Sequence, residues 1–167
     1  MITSMISTLL FSRGGGSKIA PEFIGKEWIN TSSPVRMADR RGKVTLVYFW
    51  TFACYNCKNN LPAIQSLTDT FKKDGVETIS IHTPEISEER NIANVRKAVE
   101  EYRIKYPVLI DGSYTNWKAW RNNVWPCLYI VDKRGKIRGI EQGELNYGNQ
   151  NGVAKVSALI RRLLSVN

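Results

Sequence analysis

Thiols and imidazoles are scarce in this 167-residue chain, which carries three cysteines and a single histidine. So few cysteines exclude a miniprotein stapled by many disulfides, and a four-ligand zinc site would have to use all four of these side chains. Twelve glycines and six prolines are too few for collagen-like repetition or a low-complexity chain. No run approaches the roughly 18–20 consecutive apolar residues of a membrane-spanning helix, and no repeat with a period of roughly 20–50 residues recurs. Acidic residues are the other shortage, 15 against 24 Lys and Arg, for a net charge of +9. The cations are spread in ones and twos along the chain, which suits attraction of acidic partners and designates no nucleic-acid site.

What is present suits one compact domain, with 43% hydrophobic residues. Residues 1–21 read as a flexible leader or the remnant of an export signal: a mildly apolar start, Arg13, then Gly14-Gly15-Gly16. The positive charge follows the apolar run, whereas an export signal places it before. The domain proper is expected over 22–167. Its strand-like and helix-like patterns alternate across short gaps, the signature of an α/β fold with a helix-flanked, largely parallel sheet.

Val44 to Trp50 is a near-continuous β-branched and aromatic run, as a strand covered on both faces requires, and it should be central. A helix is expected from Tyr55 to Lys73, stopped by Gly75. Val76 to His82 reads as a strand with Val76, Thr78, Ser80 and His82 on one side. Ser87-Glu88-Glu89-Arg90 is expected to open a helix striped by Ile92, Val95, Val99 and Tyr102. Pro107 to Ile110 reads as a short strand and Thr115 to Arg121 as a brief helix. Cys127–Val131 and 136–140 flank a turn at Gly135, and Val153 to Leu164 carries an amphipathic stripe expected to pack on the sheet.

Cys54-Tyr55-Asn56-Cys57 falls where the central strand meets the first helix. The free amides of a helix's first turn favour negative charge, so they stabilise a thiolate at Cys54, the attacking sulfur. Cys57, one turn on, is placed to attack a mixed disulfide at Cys54 and close a tight ring. The same spacing is also half of a zinc site, for which only His82 and Cys127 remain as further ligands. No metal or cofactor is assigned.

The segment Phe49-Trp50-Thr51-Phe52-Ala53-Cys54-Tyr55-Asn56-Cys57-Lys58, with Pro62 five residues on, resembles the active-site strand and first helix of the thioredoxin superfamily. Trp28 to Asn30, Arg41 to Val44, His82 to Glu85, Tyr106 to Val108 and Trp125-Pro126 extend the likeness. Together they resemble the thioredoxin-like domain of TlpA- and DipZ-type proteins, a domain also similar to one in the NHL-repeat-containing protein 2 family. The resemblance implies a thioredoxin-like fold, a central mixed sheet flanked by helices with an N-terminal extension. It implies a cis-proline at Pro126 beside the dithiol, with the Trp125 backbone, the Tyr55-Asn56 pair and Trp50 as substrate-binding positions for an incoming polypeptide, Trp50 also as an aromatic shield for the sulfurs. It further implies thiol-disulfide exchange with protein substrates, as a reductant recharged by an upstream thiol donor, in a monomer outside the cytoplasm.

Two departures carry consequences. Thioredoxins keep a buried aspartate six residues before the first cysteine, and Tyr48 stands there. Glu85, by analogy with the acidic residue that TlpA-type proteins place near the site, is the expected substitute as proton acceptor. Cys127, directly after Pro126, is either a buried strand residue or a third thiol able to trap Cys54. Two other readings stay open. Thr51, three residues before Cys54, fits the peroxiredoxin pattern of a thiol peroxidase, although Val47 occupies the place of that pattern's proline. A metal carrier or a catalytically silent scaffold is the non-enzymatic reading.

Overall fold

The structure, a computed structural model, describes residues 18–166. In chain order its elements are β1 (Trp28–Ile29), β2 (Thr45–Trp50), α1 (Tyr55–Phe71), β3 (Glu77–His82), α2 (Ile92–Glu101), β4 (Val108–Ile110), α3 (Thr115–Ala119), β5 (Cys127–Val131), β6 (Ile137–Gln142) and α4 (Gly152–Ser165). They build one six-stranded sheet of order β1-β4-β3-β2-β5-β6. Parallel pairing joins β2 to β3 and β3 to β4, while β1, β5 and β6 run antiparallel to their neighbours. The sheet is thus mixed, where strand-helix alternation alone had suggested a largely parallel one. The turn at Gly135, with φ of +72°, folds β6 back on β5 as a hairpin, while β5 and β1 enter the sheet against the direction of β2 and β4.

The central position of β2 follows from its composition, since every residue from Thr45 to Trp50 is buried. Alternation sends Leu46, Tyr48 and Trp50 into one apolar layer with α1, α2 and α4, and Val47 and Phe49 into a second with Trp28, Trp120 and Tyr129. Each large side chain so buried contributes about 1.5–3 kcal/mol. The helix α1 ends in a single 3-10 turn, Lys72–Asp74, and stops at Gly75 in the left-handed region. Pro62 lies on its exposed face and the helix continues through it.

Two boundaries and one short strand differ from expectation. Lys18 to Ala20 belong to the domain: Ile19 bridges Lys136, the Ala20 amide donates to the Gly135 carbonyl at 2.8 Å, and Ala20 is buried. These bonds give an extended segment a place against the hairpin, so the folded part begins before residue 22; the rest of the expected leader, 1–17, lies outside the described residues. Ser87 to Arg90 form a separate 3-10 turn, and α2 starts afresh at Ile92 with the Asn91 side chain capping the Ala93 amide. The two-residue edge strand β1 is too short to leave a periodic signal.

The loop between β6 and α4 is fastened to the dithiol helix by the buried side chain of Asn60, whose Oδ1 accepts from the Leu145 amide at 2.9 Å. Gly152 makes that possible, because a Cβ there would stand 2.1 Å from the Leu145 carbonyl oxygen. Gly152→Ala is therefore expected to cost about 2 kcal/mol or more, read as a lower denaturation midpoint. An unchanged midpoint would show that the loop yields freely.

Candidate active site

Strand β2 delivers the chain to the sheet's carboxyl edge, and the reversal Thr51–Ala53 turns it into α1. Cys54 is the N-cap of that helix, and its Sγ accepts from the Cys57 amide at 3.2 Å. Cys54 is half-buried and Cys57 fully buried, so Cys54 is the more accessible sulfur of the pair. Burial, then the neighbouring Cys54, pushes the Cys57 thiol far above the ordinary thiol range, with the charge of Glu85 adding to the rise. Tyr55, 74% exposed, and Asn56 project outward beside the sulfurs.

Tyr48 occupies the position of the absent acid. It is fully buried and its hydroxyl donates to the Cys57 carbonyl at 3.2 Å. Burial raises its own pKa well above the usual phenol value, so it serves as a neutral donor rather than a proton acceptor. Trp50 is also fully buried, with its indole N–H donating to Ser80 Oγ at 3.2 Å. It packs in the same layer as Cys57 and backs the site from within, out of reach of a substrate. That burial corrects its expected place among the substrate-binding residues.

The Trp125–Pro126 peptide bond is cis. The Pro126 carbonyl accepts from the Gly143 amide at 2.8 Å, while the Trp125 backbone makes no hydrogen bond among the described residues. The Trp125 ring lies 4.2 Å from that of Trp117, giving an aromatic floor beside the proline. Cys127 is fully buried and shares its layer with Phe49 and Tyr129, on the face of the sheet opposite Cys57. Burial pushes its thiol up to about 12. Strand alternation therefore points it away from the dithiol, and neither the third-thiol trap nor a Cys₃His set is assembled here.

The carboxylate built into this end of the sheet is Glu89. Glu85, the residue expected for it, is exposed and contributes its backbone amide to Glu89 Oε2 at 2.7 Å. The Glu89 side chain is fully buried. Its Oε1 accepts from the Thr51 hydroxyl and, at 2.8 Å, from the Ala53 amide, and its Oε2 also accepts from the Ile86 amide at 3.2 Å. Burial raises its pKa, but the His82 imidazole, the Thr51 hydroxyl and these amides outweigh it and lower the value to about 2. A buried, ionised carboxylate thus ties the dithiol loop to the turn after β3. Thr51 is committed to Glu89, which takes its hydroxyl from the role that the peroxidase pattern would give it.

The mixed sheet, the dithiol at the start of the helix after its central strand and the cis-proline just before the neighbouring strand β5 make this a thioredoxin-like protein. The chain belongs to the AhpC/TSA family, whose model matches residues 17–140. It is 34% identical over 149 residues to protein DipZ of Mycobacterium tuberculosis, covering 87% of this chain and 21% of DipZ. The chain thus spans about a fifth of that relative's length. Thiol-disulfide oxidoreductase YkuV of Bacillus subtilis is 27% identical, with 74% of this chain and 82% of YkuV aligned. Among solved structures, a thioredoxin-like superfamily protein superposes with a TM-score of 0.80 at 27% identity, covering 89% of this chain and 97% of its own.

Proposed function

We propose that the protein is a thiol-disulfide oxidoreductase that reduces disulfides in protein substrates. The observation that carries this reading is the asymmetry of the pair: Cys54 half-buried at the helix N-cap, Cys57 fully buried behind it with its thiol held protonated. The Cys54 thiolate attacks one sulfur of the substrate disulfide, forming a mixed disulfide and releasing the other as a thiolate. Cys57 then gives up its proton, with the departing thiolate as the available base, and attacks Cys54 Sγ. The second substrate thiol leaves, and the two electrons gained by the substrate are those lost in forming the Cys54–Cys57 disulfide. An upstream thiol donor restores the dithiol. The free Trp125 backbone beside cis-Pro126 offers an incoming polypeptide a strand-like pairing, with Tyr55 and Asn56 as its other contacts. The TlpA-like resemblance favours action outside the cytoplasm as a monomer, and among the described residues no helix is long and apolar enough to cross a membrane.

Titration of the protein against glutathione, with alkylation and mass spectrometry resolving each cysteine, tests the reading. A reversible two-electron midpoint confined to Cys54 and Cys57 is expected, with Cys127 remaining a thiol throughout. Failure to form that disulfide, or formation of one that includes Cys127, would overturn it.

A further inference from the structure

His82 ends β3 directly beside Trp50 of β2 and is completely buried. Neither ring nitrogen has a hydrogen-bond partner. Nε2 stands 3.6 Å from Glu89 Oε1, beyond a hydrogen bond yet well within electrostatic reach. Two rings pack against it: Trp50 meets it edge-on at 5.1 Å and Phe52 stacks on it at 5.7 Å. An imidazole placed so deeply, next to an anion and short of any other polar contact, is costly to retain as packing alone. Phe52 belongs to the reversal that carries Cys54, and Ala53, bonded to Glu89, is Cys54's immediate neighbour.

We propose that His82 and Glu89 form a buried charge-setting pair that positions the Thr51–Cys54 reversal and makes the reduction potential of the dithiol follow the protonation of His82. With neutral His82 the pair carries one negative charge, which repels a thiolate at Cys54 and favours the disulfide. With protonated His82 the pair is neutral, the thiolate is tolerated and the dithiol form gains. By linkage the reduced protein binds the His82 proton more tightly than the oxidised protein. Both residues are positioning residues, acting on the sulfurs through charge and through the loop. This inference rests on the dithiol couple proposed above.

Other titratable groups nearby do not duplicate this behaviour. From β4, the neighbour of His82 is Ile110. Asp111 follows it and is engaged by the Thr83 hydroxyl and the Asn116 and Trp117 amides. Glu85 is exposed, and Tyr102 at the end of α2 reaches Trp50 rather than the imidazole, with Lys58 over its ring. Cys54 and Cys57 are the couple itself.

The test is the reduction potential of the full chain from about pH 5 to 8, for the unsubstituted protein, His82→Phe and Glu89→Gln. The unsubstituted protein should show a segment steeper by about 30 mV per pH unit, the mark of one extra proton taken up per two electrons. His82→Phe, which keeps a ring between Trp50 and Phe52, should lose that segment. Glu89→Gln should shift the couple about tenfold toward the dithiol, or about 30 mV upward. Should the glutamine variant fail to fold, the phenylalanine variant decides alone. A profile identical in both foldable variants and the unsubstituted protein would overturn the pair's role, whereas absence of a Cys54–Cys57 disulfide in any of them would instead strike the proposed activity.

Discussion

Cys54→Ser should abolish disulfide reduction, a loss of more than about a thousandfold measured with a protein disulfide substrate and a chemical thiol as recycling donor. The half-buried Cys54 sulfur is the one that a substrate can reach, and Cys57 lies fully buried behind it with its thiol held protonated. A hydroxyl at 54 cannot form the mixed disulfide, so no later step can begin. Cys57→Ser should behave differently. The first attack survives, the resolving attack does not, and the protein accumulates as a mixed disulfide visible as a mass increment equal to that of the substrate. The difference between the two variants is the informative quantity. Equal and high residual activity in both would remove the assigned roles, and a Cys54→Ser protein that still traps substrate would transfer the attacking role to Cys57.

The placement of the two sulfurs is legible in the chain because it depends on local relations. A CxxC pair three residues apart at a strand-to-helix junction needs no distant partner to be placed, and the uninterrupted run before it can be covered on both faces only at the middle of a sheet. Period-two alternation likewise put His82 on the side of Ser80, which is the side of Trp50 and Cys57 in the structure. Glu89 was hidden for the opposite reason. Within Ser87-Glu88-Glu89-Arg90 it reads as one charge in a solvated turn, and its donors Thr51 and Ala53 lie 38 and 36 residues away. Its side chain is buried only once β2 and β3 pair in parallel and bring both loops to one edge. Glu85, nearer the resemblance's acidic position, supplies an amide instead of a carboxylate. Cys127 was ambiguous in the same way, since the side of the sheet that it faces follows from its register against Phe49.

Glu89→Ala should be the most destabilising substitution at this end of the sheet. It strips the acceptor from the Thr51 hydroxyl and from the Ala53, Glu85 and Ile86 amides at once, and it leaves His82 buried with no neighbouring anion. Breaking a buried charged network by removing one member costs about 3–5 kcal/mol, which urea unfolding at neutral pH would register as a much lower midpoint. The pH dependence separates this charge effect from a simple loss of packing. A carboxyl lowered from 4.5 to about 2 in the folded state stabilises the fold fully above about pH 4.5 and loses that contribution as pH falls toward 2. The lowering corresponds to on the order of 3 kcal/mol. The gap in stability between Glu89→Ala and the unsubstituted protein should therefore be widest near neutrality and should shrink across that acidic window. A gap that stays constant with pH would mean that the side chain matters for its volume and not for its charge, and the anionic clamp on the dithiol loop would have to be abandoned.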